Sequence, residues 1–400
     1  MREFVYKVIN GQGERAEGLL EASDLKQAAE ILRSKGMVIT KLEEEKEDFL
    51  SQFWISFNKP KKDEISNFTR QLSTMIGAGL PLVDALKILK EQSKPVMAVV
   101  IEKVLKEVEG GSSLAEALRN SGGGFTEVYL SLVKAGESAG VLDNILRKLA
   151  DALEKQREFR SKTKGALVYP AIVVVGMIVV AVIMMVFVVP RLTTMYKDFG
   201  AELPLPTKIL MGASEFMVNY WIFLAAAVVG LLIMFQRWTK TEVGQVIVEQ
   251  LVLKVPIWGK LKKDIILTEF ARTMALLANA GISVLDGMRI VADTLGSKVY
   301  GDGVKRAAMR VEKGESMAES IKSAEEFPEI LSQMIAVGEQ TGKVDEILMK
   351  LANFYESESE TKIKALTSAI EPIIMIFMGI GVGFLVIAVI MPIYNLTSQF

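Results

Sequence analysis

The second half of this chain repeats the first at a spacing of about 202 residues, and this duplication limits the folds that the chain can adopt. One compensated indel moves Gly111 and Ser113 to Gly314 and Ser316, at a spacing of 203. A register kept over such a distance indicates one structural unit built twice. The residues that recur include Phe68, Arg70, Gly79, Gly136, Glu137, Gly140 and Asp143, matched by Phe270, Arg272, Gly281, Gly338, Glu339, Gly342 and Asp345.

Each copy of the repeat runs from a helical block of mixed polarity into a strongly apolar window without charged side chains. A helix needs about 20 apolar residues to cross a bilayer. The charge-free windows lie at 165–190, 218–235 and 372–392 and predict transmembrane helices at 165–190, 218–235 and 365–392, of which the middle one is short but has tryptophan and tyrosine at its edges. The predicted fold is therefore an all-α membrane protein with two repeated helical bundles, three transmembrane helices and a small N-terminal α+β module.

The basic residues beside the predicted spans give the orientation, because lysine and arginine resist translocation. They place both bundles in the cytoplasm, and the loop 191–217 and the tail 393–400 on the outer side of the membrane. These residues are Arg157, Arg160, Lys162 and Lys164 before the first span, Arg237, Lys240 and Lys254 after the second, and Lys362 and Lys364 before the third.

The soluble segments divide the chain further. Apolar residues alternate with others in residues 1–45 and are interrupted by a turn, which predicts a ββαβ module. Residues 46–63 are predicted to be a linker, or an amphipathic segment that docks on the membrane surface or on a subunit. Helical spacing predicts bundle 1 at 64–164 and bundle 2 at 236–364. The last helix of bundle 1 has no breaker before the first span, and Pro204 and Pro206 predict an extended external turn.

The composition excludes several kinds of site. The chain has no cysteine and no histidine, which removes thiol and imidazole chemistry and their metal sites. The glycine-rich runs lack the lysine and the preceding strand of a phosphate-binding loop. We therefore expect no catalytic residue, cofactor or metal, and no nucleic-acid partner. A divalent cation between the repeated acids is a minor alternative, since oxygen ligands suit calcium, but the spacing matches no calcium-binding loop.

Several strings resemble one family, the PilC/GspF platform proteins of type IV pilus and type II secretion machines. They are Phe68-Thr-Arg-Gln-Leu, Ala78-Gly-Leu-Pro-Leu82, Gly111-Ser-Ser-Leu-Ala-Glu-Ala-Leu118, Gly136-Glu-Ser-Ala-Gly140, Val168-Tyr-Pro170 and Val188-Val-Pro-Arg191, with second-half counterparts such as Gly338-Glu-Gln-Thr-Gly342 and Met391-Pro-Ile-Tyr-Asn-Leu396.

This resemblance covers the whole chain and implies a multi-pass inner-membrane assembly platform without enzymatic activity. It implies that a cytoplasmic hexameric ATPase drives the platform, which adds pilin or pseudopilin subunits from the membrane to a fibre. Other implied partners are inner-membrane alignment components, the lipid bilayer and further copies of the chain in a homo-oligomer. The resemblance leaves open whether the machine is a pilus or a secretion system.

Repeated charged residues lie at the corner between the last two helices of each predicted bundle. The glutamate of each copy falls near a helix C-terminus, where the helix dipole disfavours an anion, so the arginine of the same block is its candidate partner. The aspartate begins the next helix, where a carboxylate is favourable. These charges either organise the corner or bind the ATPase or another component. The candidates are Arg70, Glu137 and Asp143, and Arg272, Glu339 and Asp345.

A second group of candidates belongs to the spans. Glu371 is ionisable at the edge of the third span and serves either a structural interface or a contact with a pilin or another subunit. Gly379 and Gly383 are spaced for close helix approach. Proline near the ends of the first and third spans should set helix ends or kinks. These prolines are Pro170, Pro190, Pro372 and Pro392.

Two other classes of protein compete with the platform. Parallel repeats also occur in transporters and channels, although three spans with few polar groups and most of the mass outside the bilayer argue against that class. A membrane-bound enzyme that uses carboxylates alone would need paired acids in a pocket, and the sequence offers no evident pair.

Overall fold

The computed structural model describes residues 2–9, 15–22, 25–34, 36–44, 59–191, 205–239, 241–256 and 258–397. At the N-terminus, strands β1 (Arg2–Ile9), β2 (Arg15–Ala22) and β3 (Val38–Glu44) form an antiparallel sheet in the order β2-β1-β3, with α1 (Leu25–Ser34) between β2 and β3 in the chain. Val8, Ala28 and Leu32 are buried there. Most of the predicted linker at 46–63 lies outside the described residues.

The first repeat forms six helices, and after two intervening helices the second repeat forms the same six. The first set is α2 (Lys62–Gly77), α3 (Leu82–Gln92), α4 (Pro95–Glu109), α5 (Leu114–Asn120), α6 (Glu127–Ala139) and α7 (Leu142–Ile183). After α8 (Leu205–Trp238) and α9 (Glu242–Lys254), the second set is α10 (Trp258–Asn279), α11 (Val284–Thr294), α12 (Lys298–Val311), α13 (Met317–Lys322), α14 (Glu329–Thr341) and α15 (Val344–Thr397).

The glycines that end the repeated helices adopt the same left-handed backbone in both copies. Gly140 has φ 69° and Gly342 has φ 68°, and each follows the last residue of its helix. A residue with a Cβ atom is strained in this region, so glycine is favoured at these helix ends. Glycine therefore ends the fifth helix of each repeat in the same way.

The two bundles share one apolar core. Within each bundle the first helix packs along the last, α2 on α7 and α10 on α15. The bundles also contact each other, because α7 packs on α15, and α6 packs on α10 and α11. Phe68 and its counterpart Phe270 are both buried in this core.

Two helices in the described part of the chain are long and apolar enough to cross a membrane without a break, and they include the last helix of each bundle. They comprise Leu142–Arg191 and Val344–Phe384. The predicted continuity from bundle 1 into the first span is confirmed, since α7 passes from the core of bundle 1 into the apolar window. The side chains of that window are mostly exposed in the isolated chain, as lipid-facing residues would be.

The middle span differs from the straight helix predicted at 218–235. Tyr220 departs from helical dihedral angles, and the segments Lys208–Phe223 and Ala225–Trp238 meet at 59°. The described part of the chain therefore has two unbroken candidate spans, or three if this bent pair crosses the membrane as one. Residues 205–217, predicted as part of the loop, are helical. Pro206 is compatible with this because the first turn of a helix does not need its missing N–H.

The span prolines lie inside helical segments, so Pro170, Pro372 and Pro392 do not mark helix ends, and the other predicted role, a kink, stays a prediction. Pro170 is within α7, and Pro372 and Pro392 are within α15. Pro190 follows a π-helical turn at Met184–Val188, in which Val189 N–H donates to the carbonyl of Met184.

This π-turn explains how the backbone accommodates Pro190. In the π register, the next donor, for the carbonyl of Met185, would be residue 190, and proline has no N–H. Ser214 of α8 instead donates its hydroxyl to the Met185 carbonyl at 2.5 Å. A backbone oxygen in an apolar environment needs such a partner, so this bond ties α8 to the first span.

Candidate functional site

A glutamate near the end of α6 binds the N-terminus of α5. The Glu137 carboxylate accepts hydrogen bonds from the backbone N–H of Leu114 at 2.5 Å and of Ala115 at 3.0 Å. Ser113 Oγ accepts the next N–H, from Glu116, at 3.2 Å. The first three N–H groups of a helix have no partner within it, so these two side chains satisfy all three.

The second repeat builds the same arrangement. Glu339 accepts from Met317 N–H at 2.7 Å and Ala318 N–H at 3.2 Å, and Ser316 Oγ accepts from Glu319 N–H. The helix dipole of the short helix favours the negative charge. The repeated Gly-x-Ser and Gly-Glu strings are therefore two halves of one contact that joins α5 to α6 and α13 to α14.

The expected pairing of each glutamate with the arginine of its block is wrong. Arg70 donates through Nε at 2.7 Å and Nη2 at 2.5 Å to Glu154, and through Nη2 at 2.5 Å to Asp151. Arg272 donates to Glu356 at 2.6 Å. The arginines therefore fix the first helix of each bundle to the last, whereas backbone N–H groups supply the positive end that the glutamates need.

These ion pairs differ in exposure between the repeats. The side chains of Arg70 and Glu154 are 33% and 44% exposed, while those of Arg272 and Glu356 are 11% and 19% exposed. The hydrogen bonds with Glu154 and then with Asp151 raise the pKa of Arg70, and the bond with Arg70 lowers the pKa of Glu154. The pair in the first repeat is therefore accessible to water and salt, and the second is mostly buried.

Sequence reasoning missed the glutamates of these pairs, although a signal for them exists. Glu154 and Glu356 are themselves 202 residues apart, as Arg70 and Arg272 are. Both glutamates fall on the long helices, where charge beside a span was interpreted as an orientation signal alone. Comparing every charged position across the repeat would have found the two pairs.

The glycine before each capping glutamate allows close approach of the next helix. A Cβ atom at Gly136 would lie 3.0 Å from Ile145 Cγ1, and one at Gly338 would lie 3.0 Å from Val344 Cα. These distances are tighter than ordinary van der Waals contact, so a larger residue would push α6 from α7 or α14 from α15. The Gly-Glu-x-x-Gly string thus combines a close contact, a helix cap and a left-handed turn.

Asp143 and Asp345 lie in the first turns of α7 and α15, as predicted. Asp345 also accepts a hydrogen bond from Asn279 Nδ2 at 2.8 Å, and Lys148 of the first bundle donates to Asn279 Oδ1. The bond from Asn279 lowers the pKa of Asp345. This network joins the two bundles, and it borders a cavity of about 500 Å³ between α7, α10 and α15.

The candidate residues of the third span all lie on α15. Glu371, Pro372, Gly379 and Gly383 are exposed or partly exposed, and a Cβ atom at either glycine would meet no other atom within 4 Å. The close helix contact predicted at these glycines is thus not made within the described part of the chain. A contact with another subunit stays a prediction.

No group of three or more acidic side chains in the described residues is arranged to hold a metal ion. Asp264 on α10 instead pairs with Lys362 on α15, and burial raises the pKa of this aspartate while Lys362 lowers it. The polar clusters of both bundles therefore consist of helix caps and ion pairs between helices, an arrangement suited to holding the bundles together.

Comparison with known proteins agrees with this architecture. The family model for type II secretion system (T2SS) protein F matches twice, at residues 68–190 and 270–392, and the model for the N-terminal domain of that protein matches residues 1–43. The type IV pilus assembly protein PilC of Thermus thermophilus is 34% identical over 99% of this chain and 98% of its own length. PilC of Myxococcus xanthus is 33% identical over 99% and 95%.

Relatives from secretion machines match over the same length. The type II secretion system protein F of Vibrio cholerae is 28% identical over 100% of this chain and 99% of its own. The matches to the two kinds of machine therefore both extend over nearly the full chain.

Proposed function

Because this chain belongs to the family of the type II secretion system protein F, we propose that it is an inner-membrane assembly platform of a type IV pilus or type II secretion machine. In this role, a cytoplasmic hexameric ATPase acts on the bundles, and the chain moves pilin or pseudopilin subunits from the membrane into a fibre. The bundles lie in the cytoplasm and the C-terminus lies outside. The chain supplies no catalysis of its own.

The observation that carries this proposal is the continuity of α7 and α15. Each helix packs in the core of its bundle and extends into an apolar segment long enough to span a bilayer. A helix that continues from bundle to span transmits displacement along its axis, because backbone hydrogen bonds connect its successive turns. Movement of a bundle would therefore move its span.

A second support is the joint between these two helices. Lys162 of α7 pairs with Glu360 of α15 at 3.0 Å, and Leu261, Ile363 and Leu366 form an apolar cluster with Phe159 of α7. The joint lies between the bundle cores and the candidate spans. Both spans would thus respond together to force on either bundle, as a platform that couples an ATPase to a fibre requires.

The proposal predicts that breaking α7 between bundle and span abolishes function while the bundle stays folded. Ser161 is exposed and lies in this segment. Proline inside a helix removes a hydrogen bond and bends or breaks it, at about 3 kcal/mol. We expect Ser161→Pro to reduce fibre display or secretion at least tenfold in a strain that lacks the native gene, and Ser161→Ala to restore both.

Membrane-fraction abundance and copurification of the ATPase serve as controls. A double variant, Ser161→Gly with Lys164→Gly, softens the helix without breaking it and should give an intermediate loss. Normal assembly by the proline variant at normal abundance would reject mechanical coupling through α7. Normal fibres and normal secretion in the deletion strain would reject the platform role itself.

A further inference from the structure

Helix α9 carries an apolar stripe on the side that faces away from its bundle. Val243, Ile247 and Leu251 recur at every fourth residue, which places them on one face of the helix, and their side chains are 68%, 40% and 59% exposed. Trp258, just beyond the helix, is also exposed. Water is an unfavourable environment for such a contiguous stripe, so a partner should cover it.

The opposite face of α9 is fixed to bundle 2. Glu249 accepts hydrogen bonds from the backbone N–H groups of Lys298 at 3.0 Å and Val299 at 3.2 Å, at the N-terminus of α12. Leu253, on the same face as Glu249, packs against the apolar core. Because this side is anchored, the helix cannot turn its stripe into the bundle.

The position of α9 in the chain identifies the environment of the stripe. The apolar helix α8 ends at Trp238 and α9 begins at Glu242. Four residues reach at most about 14 Å when fully extended, so the start of α9 lies close to the membrane end of α8. Phe235 and Trp238, at that end, are exposed. The stripe therefore lies close to the exposed apolar end of α8.

The charges around α9 fit an anionic surface. Basic side chains occur before it, at its end and after it, and clusters of lysine and arginine beside a span are attracted to anionic lipids. The residues are Arg237, Lys254, Lys260, Lys262 and Lys263.

We propose that α9 lies in the plane of the bilayer surface, with Val243, Ile247 and Leu251 in the boundary between headgroups and acyl chains. The basic residues then contact the headgroups of anionic lipids. Through Glu249, this helix would hold bundle 2 at a fixed height above the membrane. The inference depends on α8 entering the bilayer and not on the identity of the fibre that the machine builds.

The absence of cysteine from the chain allows a direct test. Single variants Ile247→Cys and Leu251→Cys are labelled with a nitroxide in the full-length protein, which is reconstituted into vesicles of phosphatidylethanolamine and phosphatidylglycerol. Gln245→Cys is the matched control, because Gln245 is exposed on α9 but lies off the stripe. Collision with oxygen, which concentrates in lipid, is compared with collision with a water-soluble nickel chelate.

We expect labels at 247 and 251 to favour oxygen over the chelate several-fold, and the label at 245 to favour the chelate. Equal access of the chelate at all three sites would overturn the proposal, because the stripe would then lie in water. Shielding of 247 and 251 from both reagents would also overturn it, and would indicate a protein partner or a second copy of the chain. In vesicles of phosphatidylcholine alone, an unchanged oxygen preference would contradict the role of the basic residues.

Discussion

Glu137 and Glu339 show how one side chain can join two short helices. Each carboxylate accepts hydrogen bonds from two backbone N–H groups, so the contact has both a geometric and an electrostatic part. Hydrogen bonds to a charged group contribute about 1.5–3 kcal/mol, more than neutral ones. Their effect on stability should therefore exceed that of an ordinary surface glutamate.

Glu137→Gln and Glu339→Gln should each destabilise the chain by about 1–2 kcal/mol, because the amide keeps one acceptor oxygen and loses the charge. Glu116→Gln is the matched control, because Glu116 is exposed and lies in the first turn of α5. The substitution removes the same charge but neither of the two hydrogen bonds. It should change stability by only a few tenths of a kcal/mol. Thermal unfolding of the purified chain in detergent measures both, and equal effects of the variant and its control would contradict the capping role.

The sequence identified these glutamates but not their partners. Repetition marked Glu137 and Glu339 as special, and their place at the end of a helix was predicted correctly. The dipole argument then asked for a cation and chose arginine. It failed because the N-terminus of a neighbouring helix also carries positive partial charge, and sequence alone does not show which helix end lies nearby.

At the scale of the element, glycine and proline had different predictive value. The glycines at helix ends act through their own backbone conformation, so Gly140 and Gly342 could be identified from the chain. The span prolines depend on the surrounding structure. A π-turn and the hydroxyl of Ser214 accommodate Pro190, and neither can be read from the sequence near that proline.

Gly140→Ala and Gly342→Ala should each cost about 1–2 kcal/mol, because alanine is strained at positive φ. An added Cβ atom meets nothing within 4 Å at either position, so the backbone conformation alone causes the loss. Gly140→Asn should cost less, since asparagine tolerates this conformation. Thermal unfolding of the three variants tests this order, and equal loss from asparagine and alanine would show that something other than backbone strain limits the turn.

At the scale of the whole molecule, Glu269 of α10 is influenced by charges from both bundles. The pKa of this carboxyl is raised, because the effect of burial exceeds the opposing effects of Lys62, Lys262, the N–H of Gly296 and Arg160. The folded chain therefore holds a proton here at a pH where the unfolded chain has released it. Stability should fall as the pH rises from the ordinary glutamate value through the folded pKa.

Glu269→Gln removes this titration, and the first repeat has an amide, Asn67, at the equivalent position. The melting temperature of the variant minus that of the native chain should be larger at pH 7.5 than at pH 4.5. Glu325→Gln, at an exposed glutamate, serves as the control and should show a smaller difference between the two values. If the melting temperature of Glu269→Gln minus that of the native chain were the same at both pH values, or larger at pH 4.5, the proposed effect of burial would be contradicted.

The architecture could be predicted further than the contacts between its parts. Repetition, apolar windows and helical spacing predicted two helical bundles that lead into apolar helices. The chain did not reveal the bend at Tyr220, the helix α9 or the packing of α7 on α15. These features depend on contacts between residues far apart in the chain, which the periodicity of a single helix does not encode.

The unequal exposure of the two arginine–glutamate pairs means that duplication has not produced mechanically identical halves. Salt weakens an exposed ion pair more than a buried one. A rise in ionic strength would thus loosen the seam between α2 and α7 while leaving that between α10 and α15 tight. Bundle 1 would then be less rigid than bundle 2, and under load it would deform first.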